Sequence, residues 1–170
     1  MATDIYTIRK ATATDGPGVV RVFNYFAENS LAAYLAHPVG EDFFFEMRGR
    51  AAGYPFYVVE LEAELVGFAY LHPYHPAPAF RRTGLVTYFI LPEHTGQGLG
   101  TRLLAILVRD ALSMGVDNLL AHIASVNEGS LRFHEKHGFR RCGRFAQIGS
   151  KWDQDFDVVW MQRFLVDGEA

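Results

Sequence analysis

Cysteine is nearly missing from this 170-residue chain: Cys142 stands alone. One thiol excludes an intrachain disulfide and any cysteine-based metal cluster. Long apolar runs are missing too, and none approaches the roughly 20 residues that cross a bilayer. The first residues, Met1-Ala2-Thr3-Asp4, have neither the basic segment nor the apolar core of a secretory leader. No excess of one charge exists: the formal net charge is −3 and the isoelectric point is near 6.1. That balance offers no basic surface for nucleic acid or an anionic membrane. Repeats, low-complexity tracts and linkers long enough to divide domains are likewise absent. The expectation is one cytoplasmic domain over residues 1–170.

What is present is a chain able to bury a sizeable core, with 49% hydrophobic residues. Its 14 Phe and 8 Tyr should mostly pack inside, and such an aromatic load also suits a buried face between two copies. Ile5 to Arg9 alternates like a short strand. Thr14-Asp15 before Gly16-Pro17 marks a helix start, and Val19, Val20, Phe23 and Phe26 follow at helical spacing. Residues 27–39 give no clear pattern and Pro38 interrupts them; Glu41 to Arg50 reads as a second helix. Phe56 to Leu61 and Leu65 to Leu71 predict a hairpin turning at Glu62-Ala63-Glu64. The proline-rich segment from His72 to Pro78 predicts a loop, since proline supplies no ladder donor. Thr83 to Leu91 predicts a strand, Leu99 to Met114 a largely buried helix, and Leu119 to Ser125 another strand. Asn127 caps a helix that stops at Gly138, and Phe139 to Phe145 and Phe156 to Phe164 predict the last strands. The order βααβββαβαββ describes a mixed α/β domain around one sheet.

The most informative stretch is Thr95-Gly96-Gln97-Gly98-Leu99-Gly100-Thr101, where a strand hands over to a helix. Glycine permits a left-handed backbone and close approach of another molecule. The unpaired N–H groups and positive dipole end of the next helix then favour a phosphate. A nucleotide P-loop would require a Lys after its last glycine, and Leu99-Gly100-Thr101 follows Gly98 without one. A dinucleotide turn would require its third glycine where Thr101 stands. A glycine-rich turn with no ligand is the third reading of the loop taken alone.

With Phe89-Ile90-Leu91-Pro92 before that loop, and Asn127, Ser130, Phe133-His134-Glu135-Lys136 and Gly138-Phe139 after it, the chain resembles the GNAT superfamily of N-acetyltransferases. Within it the chain is most similar to the phosphinothricin acetyltransferase group, on Tyr54-Pro55-Phe56, Gly67-Phe68-Ala69-Tyr70, His134-Glu135, Gly149, Lys151 and Asp157-Val158. The resemblance implies a single-domain α/β fold with a mixed, mostly antiparallel sheet flanked by helices. It also implies acetyl-CoA as cosubstrate, no metal, a homodimer, and a small amino-acid-like amine such as phosphinothricin, methionine sulfoximine or methionine sulfone. Two positions depart from the group. Thr95 stands where an Arg or Gln usually opens the phosphate loop, and Leu85 stands where a Glu often serves as candidate base.

The resemblance also assigns residues. The strand ending Phe89-Ile90-Leu91 would splay from its neighbour at a bulge and present backbone groups to pantetheine, with an N–H near Phe89 or Ile90 as oxyanion donor. Gly96, Gln97, Gly98, Leu99, Gly100 and Thr101 would hold the pyrophosphate, and Asn127, Ser130 and Phe133 the pantetheine channel. His134 stands where relatives carry a Tyr that acts as general acid, and imidazole can exchange a proton near neutral pH. The base stays open among His72, His75, Tyr88, Glu93 and His122, or a water. Arg81 or Arg82 would grip a substrate carboxylate, because guanidinium binds it through two parallel hydrogen bonds. Lys151 is a further candidate at the substrate, with Asp157 in the same tail pattern. Cys142 lacks a base and offers no covalent route. His134 and His137, or His72 and His75, make a poor metal ligand set. Two other functions remain open at this point: acetylation of a polyamine, aminoglycoside or protein N-terminus, or a CoA-binding sensor without catalysis.

Overall fold

The computed structural model describes residues 5–165. Its elements are β1 (Tyr6–Lys10), α1 (Gly16–Asn29), α2 (Asp42–Arg50), β2 (Phe56–Leu61), β3 (Glu64–Pro73), β4 (Thr83–Ile90), α3 (Leu99–Ser113), β5 (Asn118–Ala124), α4 (Glu128–Lys136), β6 (Arg140–Lys151) and β7 (Gln154–Phe164). The strands form one seven-stranded sheet in the order β1-β2-β3-β4-β5-β7-β6. Only β4 and β5 run parallel; the other neighbours are antiparallel.

Side-chain alternation divides the sheet between two cores. Val59, Ala69, Leu71 and Val86 face α3, whose Leu103, Leu104, Leu107 and Ala111 recur at helical spacing and are buried. Val58, Phe68 and Tyr70 face the other way, onto Val19, Val22 and Phe23 of α1 and Phe44 and Met47 of α2. The helices therefore cover opposite faces. Two hairpins close through two-residue left-handed turns, Glu62-Ala63 (φ 49° and 69°) and Trp152-Asp153 (φ 53° and 58°), whose twist matches that of paired strands.

Two sequence expectations are corrected. His72 and Pro73 belong to β3, paired with Leu85 and Gly84. The N–H of Leu71 points at Pro55 and that of Tyr74 at Thr83, so the nitrogen of Pro73 faces the side where β2 has already ended. No ladder bond is lost there, and the proline is tolerated. The sixth strand runs on to Lys151, past two irregularities that include left-handed Gln147. It is exposed along nearly its whole length, so no buried alternation announces its second half.

The feature that positions the site is a gap in the sheet. Strands β4 and β5 pair only through Thr83–Asn118, Gly84–Leu119 and Leu85–Leu120, then part. Pairing of β4 with β3 continues without a register shift to Gly67–Ile90, so the expected bulge is not what opens the gap. Loss of the parallel ladder is.

Candidate active site

Two cavities meet where β4 and β5 part. One of 610 Å³ lies on the α3–α4 side, and one of 360 Å³ on the α1–α2 side. Ala32, Tyr88, Phe89, Asn127, Ser130 and His134 line both, so the sheet is open from face to face at this point.

The larger cavity is built mainly from backbone. Gly96 (φ 75°) and Gly98 (φ 76°) are left-handed, and the space a Cβ would occupy at either is empty to 4 Å. Gly98 caps α3 with no side chain on its first-turn N–H groups, which are left to serve an anion. Gly100 has a different reason: a Cβ there would lie 3.1 Å from the Phe133 ring, so the glycine lets α3 approach α4. Of the residues expected at the cofactor, Phe89, Ile90, Gly96, Gly98, Leu99, Gly100, Thr101, Asn127, Ser130 and Phe133 line this cavity. Leu91 does not: its side chain is buried in the α1 core. Gln97 is exposed and lies outside the lining as well. The Thr95 hydroxyl donates to the Pro92 carbonyl at 2.8 Å. Lys136 and His137, which the sequence did not assign to the cofactor, stand on the same wall. His137 donates from Nδ1 to the Phe133 carbonyl (2.8 Å) and receives the Thr101 hydroxyl at Nε2 (3.0 Å).

Alternation along β4 decides which backbone groups face the gap. The N–H of Leu91 points at Val66 on β3, and Phe89 stands opposite Phe68 in the same phase. The N–H of Phe89 is therefore turned to β3, and those of Tyr88 and Ile90 are turned to the side that β5 vacates. Of the two N–H groups considered from the sequence, that of Ile90 faces the gap and that of Phe89 does not, and the N–H of Tyr88 faces it as well.

His134 is buried at 3% exposure. Its Nδ1 lies 2.7 Å from the Ser130 carbonyl, which can only accept, so that nitrogen carries the hydrogen. Nε2 is buried without a partner. Burial pulls the imidazole below its usual 6.5, against the Ser130 carbonyl, which works the other way. A neutral ring with a bare Nε2 results. The Tyr88 ring lies 5.6 Å from that of His134, and its hydroxyl is also buried and unpartnered. Burial raises the phenol above its ordinary value, which keeps its proton on.

The smaller cavity is built from side chains far apart in sequence. His72 and His122 enter it from β3 and β5, and burial lowers both imidazoles. His72 stands directly across from Leu85, so an imidazole neighbours the position that lacks a carboxylate. Its Nδ1 is 3.1 Å from the Pro73 carbonyl. The Tyr34 hydroxyl lies 3.2 Å from Nδ1 of His122 and 3.4 Å from its carbonyl, to which it can donate. Phe43, Met47, Arg50, Tyr70 and Thr87 complete the wall and were not expected; helical spacing marked α2 only as a core helix.

Several expected substrate residues are elsewhere. His75 accepts the Ala77 N–H on an exposed turn. Arg81 is exposed outside the cavity, and Arg82 is paired with Asp117. Glu93 is exposed outside both cavities. Asp157 bonds Arg144 and the Gln147 N–H within the β6–β7 hairpin. Lys151 is 2% exposed and outside the lining: its ammonium donates to the Ser30 (2.6 Å) and Ala33 (2.8 Å) carbonyls. Those bonds tie it to the 30–35 segment, which carries Ala32, Tyr34 and Leu35 into the cavity. Among the described residues no group of three or more His, Cys, Asp or Glu is placed to hold a metal ion, and no helix is long and apolar enough to cross a membrane.

This geometry has close counterparts. The Acetyltransferase (GNAT) family matches residues 19–139. The chain is 31% identical over 160 residues to an L-methionine sulfoximine/L-methionine sulfone acetyltransferase of Pseudomonas aeruginosa, covering 92% of each chain. Among solved structures it is similar to a phosphinothricin acetyltransferase from Sinorhizobium meliloti in complex with AcCoA, at TM-score 0.88 and 27% identity, covering 96% of this chain and 90% of that one. It is also similar to a ribosomal-protein-alanine N-acetyltransferase from Brucella melitensis, at TM-score 0.85 and 33% identity over 94% and 99%. The gapped sheet, the glycine-capped helix beside it and these likenesses agree: the chain belongs to the GNAT acetyltransferase family and is an N-acetyltransferase.

Proposed function

We propose that the protein transfers the acetyl group of acetyl-CoA directly to the primary amine of a small amino-acid-like substrate of the phosphinothricin, methionine sulfoximine or methionine sulfone type. The observation that carries this reading is the junction of the cavities, where His134 Nε2 and the Tyr88 hydroxyl are buried without partners. A buried polar atom left unpaired is costly, and ligand atoms that pair with both would remove that cost.

The larger cavity fits the cosubstrate. The empty cradle at Gly96 and Gly98 and the uncapped N–H groups of α3 suit a pyrophosphate, with Lys136 on the same wall supplying positive charge. The free amide side of Asn127, whose Oδ1 is held by the Ser130 N–H, and the Phe133 ring line the pantetheine path. When bound, acetyl-CoA supplies an acetyl group activated as a thioester.

The chain's own groups account for the remaining demands. The amine attacks only when neutral, and the bare Nε2 of His134 accepts its proton. Once protonated, that same atom is a donor, which is the duty the sequence assigned to His134; acceptance comes first because Nδ1 already holds the resting hydrogen. The phenol of Tyr88 is a second donor at the junction, and the N–H groups of Tyr88 and Ile90 face the developing oxyanion. His72, beside Leu85, is a neutral acceptor on the substrate wall. The expected homodimer finds support in the β6–β7 hairpin, where Phe145, Ile148 and Trp152 stay about half exposed.

Thiol release from acetyl-CoA across an amine panel tests the reading. Turnover is expected with methionine sulfone, methionine sulfoximine or phosphinothricin; turnover confined to polyamines, or to peptides beginning with alanine, would overturn the substrate assignment. His134→Gln should lower kcat by about 10²–10⁴-fold with little change in acetyl-CoA affinity. In the parent enzyme kcat/KM should rise with pH as His134 sheds its proton below the usual 6.5, and the variant should lose that limb. An unchanged kcat would remove His134 from the mechanism. Sedimentation of the same preparation as a monomer would remove the homodimer.

A further inference from the structure

The smaller cavity has an asymmetry of charge. Its described lining contains no Asp or Glu, and its three histidines, His72, His122 and His134, are each biased by burial toward the neutral form. One side chain there carries a permanent charge: Arg50, the last residue of α2. Its guanidinium lies 5.6 Å from the centroid of the Phe43 ring, which lines the same cavity. Arg50 is exposed at the cavity mouth, and a cation–π contact of this kind holds the group near the ring without using its N–H donors. No carboxylate is bonded to it among the described residues. Its charge reaches inward far enough to act on Tyr70 and His72.

Arg48, one turn-fraction earlier on the same helix, makes a built-in comparison. It stacks on Phe44 at 5.8 Å, but it opens onto a separate cavity beside Tyr54 and Met114. The two arginines share a helix and a ring contact and differ in what they face.

We infer that Arg50 forms an anion subsite in the acceptor cavity, so that the enzyme selects amines that also carry an anionic oxygen group and rejects polycationic amines. The inference rests on the acetyl-transfer reading above and deepens it. Guanidinium engages a carboxylate or phosphinate through two parallel hydrogen bonds. A substrate anchored there presents its uncharged part to Phe23, Phe43 and Met47, while its amine extends toward the gap between β4 and β5. A polyamine brings only positive charge to a wall that already carries it.

Kinetics and calorimetry with matched probes decide the matter: methionine sulfone (α-carboxylate only), methionine sulfone amide (neither anion), phosphinothricin amide (phosphinate only) and spermidine. Against the parent enzyme, at least one of the two anionic probes should exceed the neutral amide by about 10- to 100-fold in kcat/KM. Arg50→Met should bring that ratio close to one through KM, Arg50→Lys should restore part of it, and Arg48→Met should leave it in place. Which anionic probe is favoured identifies the anchored group. A parent enzyme indifferent to the anion, or an Arg50→Met variant with the ratio intact, overturns the subsite. If no amine is turned over, calorimetric binding of the same probes separates the two claims. An Arg50-dependent preference in binding upholds the subsite while acetyl transfer fails, and equal binding overturns the subsite.

Discussion

The two walls that meet at the gap are made by different means. On the α3–α4 side the wall is mainly backbone: left-handed Gly96 and Gly98, the uncapped N–H groups of α3, and the strand edge of Tyr88 and Ile90. The α1–α2 side is built from side chains of separate elements, among them Arg50 of α2, Tyr70 and His72 of β3, and His122 of β5. A backbone wall needs a contiguous run of glycines and a strand-to-helix handover. A side-chain wall needs only that distant residues converge. The first suits a cosubstrate common to a whole family, and the second can be retuned one residue at a time for a particular amine.

The sharpest way to break this comparison is to put a side chain on the backbone wall. Gly98→Val forces a β-branched residue into φ 76° and fills space that is empty to 4 Å. Strain of about 1–3 kcal/mol at such a position, together with the filled cradle, should weaken acetyl-CoA binding about 100-fold or more. The same strain should lower the thermal transition by roughly 2–12 °C, with no packing loss added, since the Cβ position of Gly98 touches nothing within 4 Å. Acetyl-CoA affinity close to that of the parent would mean that the cosubstrate is held by side chains after all.

The same contrast explains what could be read from the sequence. The order of the eleven elements and the glycine-rich strand-to-helix handover that lines the larger cavity were legible because they are local. Glycines at 96, 98 and 100 with a buried helix after them, and Asn127 ahead of another helix, state their roles within a few residues. What local sequence does not give is which way a group points: Leu91 and Gln97 share the run but lie outside the lining, and Phe89 turns its N–H to β3. Phase along a strand settles this, and phase requires knowing the partner strand. On the acceptor side His72, Tyr88 and His122 were among the residues noticed, and the rest was illegible for a different reason. Arg81-Arg82 attract notice as neighbours in sequence beside a proline-rich loop, whereas Arg50 ends an ordinary amphipathic helix and gains its position only from how α2 packs on the sheet. Polar residues near each other in the chain are easy to find, and those brought together by tertiary packing are not.

A milder perturbation tests whether the acceptor wall depends on support from behind it. Lys151 has no carboxylate partner among the described residues; its ammonium is held by the Ser30 and Ala33 carbonyls, with the Trp152 ring 4.3 Å away. Burial lowers its pKa, yet the carbonyl bonds are those of a charged donor. Lys151→Met keeps the length and removes the bonds, leaving carbonyls at the end of α1 unpaired at a cost of about 1–3 kcal/mol. The 30–35 segment should then loosen, raising the amine KM by about 10-fold while acetyl-CoA affinity stays near that of the parent. Loss of both affinities together would show that the two walls are not independently supported.

The smallest effect is expected where the sequence pointed most directly. Arg82 sits at the start of β4, bonded through Nε to both carboxylate oxygens of Asp117 at 3.0 Å, and both partners are solvent-accessible. An exposed pair of this kind contributes little, because water competes for both charges and salt screens them. The carboxylate that Arg82 was expected to grip is therefore already supplied by its own chain, at the end of the strand where β4 and β5 are still paired. Arg82→Ala should leave the amine KM, the acetyl-CoA affinity and the thermal transition unchanged, under conditions where Arg50→Met shifts the amine KM. A raised amine KM in Arg82→Ala would extend the acceptor wall past Leu85, to strand that the parallel ladder still closes. The gap would then no longer mark the limit of the site, and the division between a backbone wall and a side-chain wall would fail there.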